Sequence, residues 1–289
     1  MIRAVAGSIV LTTASMKTRM LAVAAFASCF AVPAYGQSAD HVAMNSPSCP
    51  AQGKKADGSA ISKTSDAGLL NQAKRHLPAG SSPLLLDVAD FKTLQQDIDT
   101  LRHIDSTKHE AKFERTREQL QHLATSKEAV SEGDLVSVSG FLHHAMDGAD
   151  DETVNCGGRD GKDTHLNVNA AQPVGTTFDE WSGIVVEVIP QAPLPGWTKA
   201  QHDAARDALQ AVRDAKLPVL AVGALTYDNE HLVNGDKTHP NGSNPKRMSL
   251  WEIHPVTQLF VCPAGEMCDP ATPGAKWESL RDWRTKHPH

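Results

Sequence analysis

The chain has 289 residues, with 34 acidic against 28 basic side chains and a formal charge of −6. That balance disfavours non-specific nucleic-acid binding, which depends on Lys and Arg neutralising phosphates. Aromatic residues are 5% of the chain, too few for an extended base-stacking platform.

The first segment reads as a signal peptide over residues 1–36. Lys17 and Arg19 precede the apolar run Met20 to Val32, and the small-residue site Ala34-Tyr35-Gly36 follows. Either Met1 or Met16 can be the start. The run is shorter than the ~20 residues of a membrane span, and no other segment is long and apolar enough to cross. The expected location is therefore periplasmic or secreted. Loss of Arg3, Lys17 and Arg19, from a stretch without carboxylates, takes the charge from −6 to −9.

Cys29 leaves with that segment, and Cys49, Cys156, Cys262 and Cys268 remain. In an oxidising compartment four cysteines suggest two disulfides, free thiols being the alternative. Pro263 and Gly265 can turn the chain between Cys262 and Cys268, so that local pair is expected, leaving Cys49 with Cys156. The spacing does not match a structural zinc site.

Residues 37–80 are rich in small and polar residues and read as a flexible leader that Cys49 can pin. Residues 81–289 read as a single globular domain with its core at about 134–262. Phe91, Leu94, Ile98 and Leu101 recur at helical spacing, with Asp90 as a candidate N-cap. The charged stretch from Lys108 to Ala124 predicts a second helix.

Strands are predicted next. Asp134 to Leu142 alternates with Val136, Val138 and Leu142 on one face, and Gly140 on that face suggests a bulge or bend. A polar loop spans Asp147 to Asp163, and the His143-His144 pair reads as a solvated pair at its edge. In Thr164 to Asn169, Leu166 and Val168 oppose His165, Asn167 and Asn169. Gly183 to Ile189 is a third strand with one charge inside it, Glu187. Thr198 and Gln201 form a capping-box pattern before a helix reaching about Ala215. Leu217 to Tyr227 is a fourth strand, Asn234 to Lys246 a second polar loop, and Met248 to Val261 the last strand.

This order, three strands, a helix and two strands, predicts a β-rich α+β fold: an OB-like five-stranded barrel with a helix between strands 3 and 4 and two N-terminal helices. A small α+β sandwich is the competing architecture.

Candidate chemistry centres on His165, Glu187, His231, Glu252 and His254, with Asp163 as a sixth. Asp163 with His165, and Glu252 with His254, are strand i, i+2 pairs that share a face. Imidazole with carboxylate is a ligand set for zinc and similar divalent metals. His165, His231 and His254 would be ligands, and Glu187 or Glu252 a ligand or general base. The bland readings are that Glu187 faces solvent, Glu252 pairs with Lys246 or Arg247, and His254 bonds a backbone carbonyl. Asp147, Asp150, Asp151 and Glu152 read as a solvated acidic loop, without EF-hand spacing. There is no HExxH, no nucleophile elbow and no phosphate loop.

The segments GDLVSVSGFL, Cys156, DTHLNV, VVEVIP, EHL and SLWEIHPV resemble, over about residues 83–262, a group of exported bacterial proteins sharing a WEIHP-type strand. The resemblance implies no activity. It implies that Asp163, His165, Glu187, His231, Glu252 and His254 lie in motif segments. The leading expectation is an exported protein that binds a small molecule or protein partner through a polar barrel face. The alternatives are a metal-dependent hydrolase of phosphodiesterase or nuclease type, and a structural envelope protein.

Overall fold

The computed structural model describes residues 49–78, 80, 82–101, 117–148, 152–158, 161–198, 201–231, 233, 247–272 and 276–288. The expected signal peptide at 1–36, residues 37–48, most of the predicted helix at 108–124 and the predicted loop at 234–246 lie outside them. No helix among the described residues is long and apolar enough to cross a membrane.

The described residues form seven strands and four helices, in the order α1 (Asp66–Lys74), β1 (Leu84–Leu86), α2 (Val88–Leu101), β2 (Leu135–Asp147), β3 (Thr164–Asn169), β4 (Ile184–Val188), α3 (His202–Asp214), β5 (Pro218–Tyr227), β6 (Trp251–Val261), β7 (Glu278–Ser279) and α4 (Leu280–Lys286), with a short 3-10 turn at Arg117–Leu120. Strands β2, β3, β4, β6 and β5 pair in that order, and β5 pairs back onto β2. This is a closed five-stranded barrel of OB-like topology, with α3 between its third and fourth strands. All pairs within the barrel are antiparallel except β4 with β6.

Closure depends on β2 serving two partners. Leu135–Phe141 pairs with β5, and Phe141–Asp147 pairs with β3, with a register shift between Leu142 and His144. Gly140 lies at the changeover. A Cβ there would stand 2.5 Å from the Asn169 carbonyl oxygen, so only glycine lets the strands approach this closely. The strand continues through His143 and His144 rather than ending before them.

Alternation sorts the side chains. Val136, Val138, Leu142, Leu166, Val168, Ile184, Val186, Val188, Leu225, Tyr227, Trp251 and Ile253 are buried in one apolar cluster. Burying each of the larger ones contributes about 1.5–3 kcal/mol. Ala205, Ala208, Leu209 and Val212 of α3 and Phe91, Leu94 and Ile98 of α2 join the same cluster.

Three local expectations are corrected. Asp90 lies inside α2, not at its cap; its carboxylate accepts the Asp87 and Ser126 N–H groups at 2.8 and 3.0 Å. Gln201, half of the expected capping box with Thr198, is itself the N-cap residue of α3 and makes no side-chain cap; its Oε1 accepts from the Thr198 N–H and hydroxyl, each at 3.1 Å. Residues 49–78, expected to be a flexible leader, carry α1 and are fastened by polar contacts. The Cys49–Cys156 disulfide joins this segment to the β2–β3 loop, and the second disulfide is Cys262–Cys268. Arg75 donates to the carbonyls of Cys49 and Pro50, each at 2.8 Å, and to that of Val154. A composition too poor in apolar residues to collapse is held here by a cross-link and buried hydrogen bonds instead.

Candidate metal centre

Core packing on one side of β3, β4 and β6 leaves the alternate residues on the outer side of the barrel. His165 on β3 is the register partner of Glu187 on β4. Val186 pairs with Ile253 on β6, which brings His254 beside Glu187. A row His165–Glu187–His254 therefore runs across three neighbouring strands. Glu252 follows two residues before His254 on the same side. The loop after β2, and the last turn of α1, cover this row.

The cover buries it. Asp163, Glu187, Glu252 and His254 are fully buried. Only Glu152 and His165 reach solvent, with side-chain exposures of 21% and 12%. The expectation that Glu187 faces solvent is thus corrected: the face is polar but closed.

The contacts fall into two overlapping groups. Glu152, Asp163, His165 and Glu187 each aim one ligand-type atom into a space where all lie within 4.8 Å of one another, and Glu187, Glu252 and His254 do the same. His165 Nε2 lies 3.2 Å from Glu152 Oε1, 3.3 Å from Asp163 Oδ2 and 3.6 Å from Glu187 Oε2. His254 Nε2 lies 2.9 Å from Glu187 Oε2.

Several of these atoms make no hydrogen bond. Both carboxylate oxygens of Asp163, both of Glu187, Glu252 Oε1, and Nε2 of His165 and of His254 are buried without a hydrogen-bond partner. A buried polar atom left so costs about 1–3 kcal/mol, more if charged. Two carboxylates 4.8 Å apart repel by about 3–4 kcal/mol at an effective dielectric near 20, and the first group holds three around a single imidazole.

The proton affinities follow. Burial pushes the Asp163 carboxyl up to about 7, against the pull of His165 and with help from Glu152 and Glu187. Burial pulls His165 down, but Glu187 and Asp163 outweigh it and hold the imidazole well above its ordinary value. Burial also works to raise Glu152, yet contact with His165 and Asp163 brings it to about 2. Glu187 is held well below the usual range, because His165, Lys74 and His254 together overcome its burial.

Gly148, at the entrance to the loop, completes the first group. A Cβ there would meet Asp163 Oδ1 at 1.9 Å, and Glu152 Oε1 and His165 Nε2 at 2.9 Å each. Any other residue would intrude among the donor atoms.

A second layer lies beyond Glu252. Arg247 bonds Glu252 Oε2 at 3.0 Å and Asp228 at 3.1 Å, and Lys74 Nζ sits 3.3 Å from both Asp228 and Glu252 Oε1. Burial, only partly offset by Lys74, pushes Glu252 up to about 7. Two of the bland expectations hold here: Glu252 does pair with Arg247, and the His254 ring does bond a backbone carbonyl, that of Lys74, at 2.7 Å. His231 is not brought to either group. Its ring meets Asp228, on the far side of Arg247 and Lys74. Asp147 pairs with Arg206 at 2.7 Å.

Sequence reasoning missed Gly148, Lys74 and Asp228, and placed Glu152 among solvated loop acids. Strand periodicity cannot reach residues that arrive from a loop or a distant helix; the visible hint was Cys156, whose disulfide ties the Glu152–Asp163 loop to the segment carrying Lys74. No family model matches the chain, and no curated protein matches it.

Proposed function

We propose that the protein is an exported divalent-metal-binding protein, with the ion held on the outer barrel face by Glu152, Asp163, His165 and Glu187. The observation that carries this reading is the set of fully buried carboxylate oxygens of Asp163 and Glu187, without hydrogen-bond partners, aimed together with a histidine nitrogen into one space. One imidazole with three carboxylates suits Zn²⁺, Mn²⁺ or Fe²⁺ better than a soft-ligand metal. A divalent cation would cancel the mutual repulsion and satisfy the orphaned oxygens at once. The two disulfides support export.

A second reading, metal-dependent hydrolysis, is favoured by the partial exposure of Glu152 and His165. A water reaching a bound ion from that side would be activated, since a divalent metal lowers the pKa of the water it holds.

Elemental analysis of protein purified without chelators tests the binding reading. A stoichiometric divalent metal that is lost in His165→Ala and Asp163→Asn is the expected result. Metal-free protein that takes up neither Zn²⁺ nor Mn²⁺ on titration would refute it. Turnover of an activated phosphodiester by the loaded wild type, lost in the same variants, would establish hydrolysis as well.

A further inference from the structure

We infer that Glu187 is a bridging carboxylate and that a second divalent ion binds between Glu187, Glu252 and His254. This inference rests on the metal-binding reading above and extends it to a two-ion centre.

The tautomer of His254 is the first argument. Its Nδ1 lies 2.7 Å from the Lys74 carbonyl oxygen, which can only accept, so Nδ1 carries the hydrogen. In the neutral ring Nε2 is then a lone-pair nitrogen, and it points at Glu187 Oε2, another acceptor, 2.9 Å away. Two acceptors held face to face need a positive centre beside both. A backbone carbonyl fixing the remote nitrogen is also the usual arrangement behind a metal-bound histidine.

Glu252 supplies the second argument. Arg247 holds its Oε2 at 3.0 Å and so orients the carboxylate, while the fully buried Oε1 has no hydrogen bond. The ion-pair distance from Oε1 to Lys74 Nζ is 3.3 Å, without hydrogen-bond geometry. Glu187 makes the link: it belongs to both donor groups, and neither of its oxygens is hydrogen-bonded. A carboxylate shared by two donor sets is the geometry of paired-metal sites, whose ions stand ~3.5–4 Å apart.

The alternative occupant is a proton on His254, giving an imidazolium–carboxylate pair. Titration of chelator-treated, disulfide-bonded full-length protein with Zn²⁺ and with Mn²⁺, read by calorimetry and by metal content after gel filtration, separates the two. The two-ion centre predicts two equivalents in the wild type, one in His254→Ala and in Glu252→Gln, and none retained in Glu187→Gln. One equivalent in the wild type would overturn the second ion while leaving the first site standing. No uptake by the wild type would overturn both, and the wild-type count needs no variant to fold.

Discussion

His165 and Glu187 are register partners on adjacent antiparallel strands, and their facing atoms, Nε2 and Oε2, lie 3.6 Å apart on the outer side of a barrel whose inner side is apolar. Cross-strand partners of opposite charge ordinarily sit on a wetted face. Here Glu187 is fully buried and Asp163 closes over the pair from the loop. The barrel thus spends a closed, structured surface on three carboxylates and one imidazole, an arrangement that apolar packing alone would not retain.

Gly148→Ala should weaken metal uptake although it alters no donor atom. The added methyl would stand 1.9 Å from Asp163 Oδ1. Zinc affinity is expected to fall at least ~10-fold, about 1.4 kcal/mol, with the far-ultraviolet circular dichroism unchanged. Wild-type affinity in this variant would mean that the ion, if any, binds elsewhere.

Lys74→Met should destabilise the protein by about 3–5 kcal/mol, since it removes a buried cation from Asp228 and Glu252 and leaves their charge less compensated. Lys276→Met, at the exposed pair with Glu266, should cost no more than ~1 kcal/mol. Urea unfolding of the two variants checks the contrast; equal losses would show that the buried network carries no special weight.

The double variant Cys49→Ser, Cys156→Ser should lose about 4–5 kcal/mol, as the bridge closes a loop with a sequence separation of 107. Because that bridge also fastens the loop bearing Glu152 and Asp163, zinc affinity should drop in parallel. Denaturant midpoints with and without zinc report both effects, and a stability loss below ~1 kcal/mol would contradict the first.

Asp90 governs an acid-sensitive contact. Its burial works to raise the carboxyl, and the contacts from Ser126 and Asp87 outweigh it, so the folded value lies below the ordinary one. The stabilisation is therefore fully present above the unfolded value near ~4 and is lost as pH falls through the lower, folded value. Asp90→Asn should cost about 1–2 kcal/mol at pH 7, and the gap from wild type should shrink towards pH 3. A gap independent of pH would argue against a charged acceptor.

The barrel was legible in the sequence because its strands alternate cleanly. Leu166 and Val168 against His165, and Trp251 and Ile253 against Glu252 and His254, fix which face is core, and the helix between Ile189 and Leu217 fixes the strand order. The same periodicity placed His165, Glu187, Glu252 and His254 on one outer face. It could not tell that the face is covered, since the cover comes from Lys74, more than a hundred residues before Glu187, and from Glu152 and Asp163 in a loop with no periodicity. His231 was expected beside them because it follows a strand end. It turns instead to Asp228, three residues away, whose carboxylate also draws Lys74 and Arg247.

The most direct measurement is anomalous diffraction at the zinc edge from crystals of the zinc-loaded full-length protein. The metal-centre account predicts a peak bounded by Glu152, Asp163, His165 and Glu187, within about 2.0–2.2 Å of their donor atoms. A map without a peak there, from protein saturated with zinc in solution, would contradict it.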